Sequence, residues 1–549
     1  MKKLISFIML FCMIFIGGKT TDIYAASTDI QAAWITTVYN ADWPKVQNNP
    51  QEQKQEMIKI LDTLKEIGIN TVMFQARTQG DALYKSNINP WSSVLTGVQG
   101  KDPGYDPLQF VIQEAHKRGM KVHVWLNPYR VTTTGTDINQ LSTNHQARKN
   151  PSWVLSYNGR LYFNPELPEV KKHIVDTVAE IVSNYNIDGI HFDDYFYPAN
   201  YPLPTGEGRD GKVANERRNH ITEMITQVRS KIKSIKPAVE FGVSPSGIWK
   251  NKSSDALGSS TNGNESYYSD YADTRMWVKN NMVDYIVPQI YWETGNTSAD
   301  YETLVKWWSD VANGTNVDLY IGHGIYKDQV ATQINTQLEI NKKYSQVDGS
   351  SYYTTLDILN NRQDCRNKIK TFLENNKLID TSGHWAESTI NEFVTKGYIG
   401  GYEDNTFKPD NSITRAEFVK IVNRVFGFTE AGTEKFDDVQ ASHWFYYDIC
   451  VGVKAGYING KSENKFDPNA PITREEVASI ITSIKNNKDV NIDKLLNFSD
   501  ALSVSSWAKS SVEGAIENKY LGGYSDNTIK PKNKTTRAEA LVILSRIGR

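Results

Sequence analysis

The sequence predicts an α/β chain, a (β/α)₈ TIM barrel followed by an α-rich region of repeats. Three observations carry that reading. Short apolar segments alternate with amphipathic ones from residue 30 to about 376, the apolar segments run into long loops rich in amides and rings, and from about residue 378 the chain repeats itself.

Eight strands are expected, at Gln31 to Thr37, Thr71 to Gln75, Lys121 to Leu126, Gly189 to Phe192, Glu240 to Val243, Tyr285 to Gln289, Asp318 to Gly322 and Gly349 to Thr354. Helical stretches lie between them. In Gln51 to Ile67, for example, Met57, Ile60, Leu61 and Leu64 recur at helical spacing. The alternative α/β answer, a doubly wound open sheet, lacks its glycine-rich phosphate loop after the first strand.

At 549 residues the chain exceeds one ordinary domain. A formal charge of −2 gives no basic excess of the kind that marks nucleic-acid binding. Met1-Lys2-Lys3, the apolar run Leu4 to Ile16 and the small-residue site Ile23-Tyr24-Ala25 read as a secretory signal over residues 1–25. As an uncleaved anchor the run falls short of the ~20 residues that span a bilayer. Cys12 leaves with the signal, Cys365 and Cys450 fall in different expected domains, and no metal-ligand spacing of Cys and His appears, so neither metal nor cofactor is expected.

The barrel, 26–377, is organised around Asp188-Gly189-Ile190-His191-Phe192-Asp193-Asp194-Tyr195-Phe196-Tyr197-Pro198. Alternation sends Ile190 and Phe192 outward and His191 and Asp193 inward, and a bend at the strand end is needed to bring Asp194 into the same pocket. Adjacent aspartates also start turns and cap helices. Here rings follow instead of a helix, which suits a sugar platform. Barrel enzymes place their chemistry at the C-terminal mouth. The other strand ends supply Trp34 and Tyr39, Arg77, Asn127 and Tyr129, Gln289, Tyr291, Trp292 and Glu293, and His323, a set suited to a ligand dense in hydroxyls. Any one of these can equally be loop scaffolding: Asn127 stands before a proline, and Arg77 can pair with Asp81.

Ala33-Trp34-Ile35-Thr36-Thr37-Val38-Tyr39-Asn40, Asp42-Trp43-Pro44, Phe74-Gln75-Ala76-Arg77, Trp125-Leu126-Asn127-Pro128, the central word and Pro288-Gln289-Ile290-Tyr291-Trp292 together resemble the glycosyl hydrolase-like 10 family. The resemblance implies an exported glycosidase with cell-wall glycan as substrate class. A departure is Glu216-Arg217-Arg218, where the family often has Trp-Arg-Arg. Most glycosidases use two carboxylates. The adjacent pair also looks like that of substrate-assisted hexosaminidases, which makes Asp194 the general acid/base and Asp193 the group that orients an acetamido nucleophile. The rival makes Asp193 or Asp194 the nucleophile and Glu293 the acid. His191 either shapes the pKa of Asp193 or packs the barrel mouth, and His191, Asp193 and Asp194 as metal ligands are a third option, short of the usual ligand number. Tyr195 completes the expected sugar-binding set.

Trp385, Trp444 and Trp507 each precede an arginine, Arg415, Arg474 and Arg537, by 30 positions. Each arginine follows a threonine with a glutamate three residues beyond that threonine, the pattern of a capping box. Boundaries are expected at 378–430, 431–490 and 491–549. The units resemble surface-layer homology repeats, which implies anchoring to a pyruvylated secondary cell-wall polysaccharide. On that resemblance Arg415, Arg474 and Arg537 grip acidic sugar groups, helped by Gly401, Gly460 and Gly523 where backbone approaches closely. The bland alternative is that each arginine braces its own helix. Together these readings describe an exported, wall-attached glycosidase; a glycosidase feeding on environmental polysaccharide and a non-catalytic carbohydrate-binding surface protein are the competitors.

Overall fold

The computed structural model describes residues 30–547 except 345, 376–377, 396–397, 403–404, 434–435 and 486–491, so the signal lies outside the described residues. Ten strands are present among them: β1 (Ile30–Ile35), β2 (Thr71–Arg77), β3 (Lys121–Leu126), β4 (Val154–Tyr157), β5 (Arg160–Phe163), β6 (Gly189–Phe192), β7 (Glu240–Val243), β8 (Tyr285–Ile286), β9 (Asp318–His323) and β10 (Val347–Tyr352). Eight of them close an all-parallel barrel in the order β1-β10-β9-β8-β7-β6-β3-β2. The expected fold is therefore the observed one, with helices around it.

Three strands differ most from expectation. β8 pairs over Tyr285 and Ile286 only, and Gln289 makes isolated bridges to Ser246 and Gly322, because the chain leaves the sheet early to carry its loop. The antiparallel hairpin β4–β5 was not anticipated. Asn158 and Gly159 at its tip both have positive φ, the conformation that an Asn-Gly turn favours, so its signal stood in the sequence.

The barrel has two apolar layers. Ile35, Phe74, Val124, Ile190, Phe192 and Phe241 pack outward beneath the helices. Inside, Ile30, Ala32, Trp34, Met73, Trp125, Tyr285, Val287 and Tyr320 form a separate cluster. Large polar rings fit there because neighbours are small: a Cβ at Gly242 would stand 2.1 Å from the Tyr285 ring. One hydrogen-bonded line crosses this interior. Trp34 Nε1 donates to His191 Nε2 (3.1 Å), His191 Nδ1 meets Tyr285 Oη (3.1 Å), and Tyr285 Oη meets His123 Nδ1 (2.8 Å). Burial holds both imidazoles neutral. Since Trp34 only donates, His191 carries its proton on Nδ1, and Tyr285 must give its own to His123.

Beyond the barrel, the three repeats share a second core. Their paired helices are Glu387–Thr395 and Arg415–Phe426, Tyr446–Lys454 and Arg474–Lys485, Lys509–Glu517 and Arg537–Ile547. Where they meet, three extended segments bond in a ring: Ile413 N–H to Thr535 O (3.0 Å), Thr535 N–H to Ile472 O (2.8 Å) and Ile472 N–H to Ile413 O (3.0 Å). The repeats thus close on themselves with approximate threefold symmetry. No helix among the described residues is long and apolar enough to cross a membrane.

Candidate active site and the repeat cleft

β6 ends at Phe192, and the chain turns so that both following carboxyls face the mouth. Asp193 is buried and firmly held. Its Oδ2 accepts from Trp125 Nε1 (3.0 Å) and Asn127 Nδ2 (3.0 Å), and its Oδ1 accepts from Tyr195 N–H (3.3 Å). Burial pushes its pKa up, and the Arg130 charge and these three donors pull it back. Asp194 is half-buried and lacks such a cradle. Burial and then the neighbouring Asp193 charge raise it to about 7, with a hydrogen bond from Gln289 opposing. The arrangement is a fixed carboxylate beside a carboxyl that keeps its proton near neutrality, the separation of roles acid catalysis needs.

Around the pair, Tyr195 is exposed and lies beneath the Arg130 guanidinium, 4.9 Å from it. Tyr291 stacks on Tyr353 at 5.8 Å, and Tyr326 stands edge-on to both. Gln289 gives its amide to Ser244 O (3.0 Å), which turns it toward Asp194. Trp34 and Trp125 floor the mouth from inside the barrel.

Several expected site residues go elsewhere. Arg77 is 1% exposed and donates to Asn127 O (2.5 Å) and Pro128 O (3.1 Å), so it braces the loop that carries Asn127 and makes no ion pair with Asp81. Tyr129 is fully buried in the outer core. His323 ends β9 facing the helices, bonded to Gln337 and Ser350 and stacked on Tyr301 and Tyr352. His191 uses both nitrogens inside the barrel, which removes it as a sugar contact and as the nitrogen ligand of a metal site. Tyr39, with positive φ, stands 66% exposed on a turn at the rim. Trp292 is half-buried against the outer core. Glu293 binds Asn296 Nδ2 (2.9 Å), which lowers its pKa; an ionised carboxylate cannot protonate a leaving group.

One buried carboxyl escaped the sequence reading. Asp270 lies after β7 and is 8% exposed; burial and the charge of Asp194 raise it to about 8. The run Ser269-Asp270-Tyr271 carries no strand-end signal. The Arg217-Arg218 pair, beside the departure at Glu216, also has a visible task. Arg217 donates to Tyr201 O, Pro202 O and Tyr271 Oη, and Arg218 to Tyr267 O, clamping the loop after Asp194 to the segment bearing Asp270.

In the repeats each arginine reaches across to the following unit. Arg415 Nε donates to Phe466 O (2.9 Å), Arg474 Nε to Ile529 O (2.9 Å) and Arg537 Nε to Phe407 O (3.0 Å). Their NH2 groups bond Asn459 O, Gly522 O and Gly400 O, and their NH1 groups face Glu476, Glu539 and Glu417. Those glutamates are also the capping partners of Thr473, Thr536 and Thr414. All three arginines are about 5% exposed, and their bonds lock one repeat to the next instead of bracing their own helix. Gly401, Gly460 and Gly523 are needed within their own loops: a Cβ there would meet Thr406 O at 2.9 Å, Ser462 O at 2.4 Å and the Phe498 ring at 2.2 Å. Trp385, Trp444 and Trp507 are 63%, 55% and 59% exposed. Trp385 lines a cleft of about 370 Å³ with Asp410, Arg474, Tyr524, Glu539 and Arg546, residues drawn from all three repeats.

A closed parallel barrel with an acid pair at its mouth defines a glycosidase-like architecture. The chain belongs to the glycosyl hydrolase-like 10 family, whose model matches residues 29–345. The S-layer homology domain matches three times, at 380–419, 435–478 and 497–541. The chain is 39% identical over 381 residues to Glycosyl hydrolase YngK of Bacillus subtilis, covering 66% of this chain and 75% of that one. It is 44% identical over 340 residues to Glycosyl hydrolase DigH of Escherichia coli, covering 58% and 77%. The repeats are 31% identical over 168 residues to the Surface-layer 125 kDa protein of Lysinibacillus sphaericus, covering 30% of this chain and 14% of that one.

Proposed function

We propose that the protein is an exported glycosidase, tethered to the cell wall by its repeats, that hydrolyses N-acetylated glycan strands of the peptidoglycan type. The observation that carries this is the division of labour between Asp193, held by three donors, and Asp194, raised to about 7. Asp194 protonates the departing glycosidic oxygen. Asp193 orients the acetamido group of the sugar, whose carbonyl oxygen attacks the anomeric carbon, and Asp194 then takes a proton from the water that opens the cyclic intermediate. Tyr195 and Tyr291 offer ring faces to the sugars. The lowered pKa of Glu293 counts against the rival assignment.

Tethering rests on the S-layer homology repeats. The exposed tryptophans and the cleft at Trp385 are the surfaces through which a wall polysaccharide would be held, with Arg474 and Arg546 among the residues that line it. The test is to incubate the full chain with peptidoglycan, with peptide-free glycan strands and with plant or storage polysaccharides, and to identify products by mass spectrometry. Released N-acetylated oligosaccharides that vanish with Asp194→Asn are expected. Neutral-sugar products would favour a feeding enzyme, and binding without products a carbohydrate-binding surface protein.

A further inference from the structure

Arg130 stands at the barrel mouth with one part of its guanidinium committed and the rest free. Nε donates to Thr78 O (2.9 Å), and the guanidinium carbon lies 4.9 Å from the centre of the Tyr195 ring. Among the described residues NH1 and NH2 make no hydrogen bond and no ion pair, although the residue is only 8% exposed. Neighbouring arginines are employed differently: Arg77 gives NH1 to the carbonyls of Asn127 and Pro128, and Arg217 gives NH1 to those of Tyr201 and Pro202. Neither free nitrogen of Arg130 is enclosed by protein, unlike Nε of Arg77 and Arg217, so the fork opens on space that a ligand can enter. A charged fork more than nine-tenths buried and without an acceptor calls for one.

Two short links fix where that space is. Arg130 N–H donates to Asn127 Oδ1 (3.1 Å), and Asn127 Nδ2 donates to Asp193 Oδ2 (3.0 Å). Tyr195, whose ring lies against the guanidinium, gives its own N–H to Asp193 Oδ1 (3.3 Å). The fork is therefore flanked by two residues that hold Asp193, and its charge acts on Asp193 and Asp194 alike. It does not pair with Asp193, whose oxygens are taken up by Trp125, Asn127 and Tyr195. With Nε fixed and one face on a ring, the group is already oriented, so little freedom is lost when it takes a ligand.

We propose that Arg130 is a specificity-determining residue of this site, whose NH1 and NH2 grip a carboxylate carried by the glycan bound at Asp193 and Asp194. This rests on the glycosidase reading given above and adds to it the charge of the substrate. Two parallel N–H donors match the two oxygens of a carboxylate, whereas a hydroxyl or an amide oxygen occupies only one of them. The ligand class is an N-acetylated glycan bearing an acidic substituent, such as an ether-linked lactyl group. A neutral glycan leaves the fork unpaired once the sugar excludes solvent from it, which costs affinity.

The experiment compares two forms of one substrate: peptide-free peptidoglycan strands with free lactyl carboxylates, and the same strands with those carboxylates capped as methylamides. Hydrolysis by the full chain, and binding to the full-length Asp194→Asn variant by calorimetry, are read with Arg130 intact and as Arg130→Lys and Arg130→Gln, with folding checked by thermal denaturation. With Arg130 intact the free acid should be preferred about tenfold in kcat/KM and in Kd, the worth of a charge-assisted pair. Arg130→Gln should bring that ratio close to one. Arg130→Lys keeps the charge but loses the fork, and should retain part of it. Equal handling of the two forms with Arg130 intact, or an equal loss on both in Arg130→Gln, would overturn this inference and leave the glycosidase standing; the second result would make Arg130 a support for Asp193. Selective binding of the free acid without hydrolysis would overturn the glycosidase alone. A chain that neither cleaves nor binds either form would overturn both.

Discussion

The barrel mouth and the ring of repeats both gather charged side chains where elements meet, yet they use them in opposite ways. At the mouth, Asp194 keeps a pKa of about 7 because burial and Asp193 outweigh its hydrogen bonds, from its own backbone N–H and from Gln289. In the ring, Arg474 gives Nε and NH2 to the backbone of the next repeat and NH1 to Glu539, which is itself capping a helix. Charge left under-satisfied in a pocket is available for proton transfer; charge fully satisfied at a seam is available for cohesion.

The sharpest break of that comparison is at Asp194. Asp194→Asn should lower kcat by about a thousandfold, the range for loss of a general acid, whereas Glu293→Gln should keep most of the activity. Hydrolysis of peptide-free glycan strands reads both, and the reverse order would return the acid role to Glu293. Next in size is the seam. Arg474→Ala leaves Glu539 without its buried partner and should cost about 3 kcal/mol in chemical denaturation of the repeats, with barrel activity retained.

The pH dependence sharpens the contrast further. Asp194 must be protonated to act, so kcat should fall as pH rises through about 7. The same raised pKa means the folded chain binds more protons than the unfolded one between about pH 4 and 7, so this group weakens stability as pH climbs through that window. Asp194→Asn should therefore melt higher than wild type at pH 8 even as it loses most of its turnover. The smallest effect on stability is expected at Trp385. Being 63% exposed, its replacement by Ala should change stability by less than about 0.5 kcal/mol, while binding of isolated wall polysaccharide in a pull-down should fall clearly.

Much of this was legible beforehand, and the limits have physical causes. Alternation alone placed Ile190 and Phe192 outward and His191 inward, and strand-end position placed Asp193 and Asp194 at the mouth. Tyr129 misled because a residue past a strand end turns either to the mouth or to the helices, a choice set by loop geometry, whereas His323 is the last residue of β9 and shares the outward alternation of Leu319 and Ile321. Arg77 looked like a ligand contact for want of any sign that its partners were carbonyls 50 residues away. The repeat arginines show the deepest limit: the 30-residue period reveals that Arg415, Arg474 and Arg537 do one job, but what they touch lies in the next repeat, and a motif read within its own unit cannot display it.

The three-bond loop joining Ile413, Thr535 and Ile472 also fixes how many units the tail can hold. Open solenoids lengthen or shorten by whole modules with modest loss at the ends. Here each donor already has its acceptor inside the circle, so a fourth unit would find no edge to join and deletion of any one would strand the other two. The number of units is therefore set by geometry: evolution can retune individual loops, as Lys461 in place of a tyrosine beside Glu476 illustrates, but it cannot add a unit without building a second circle.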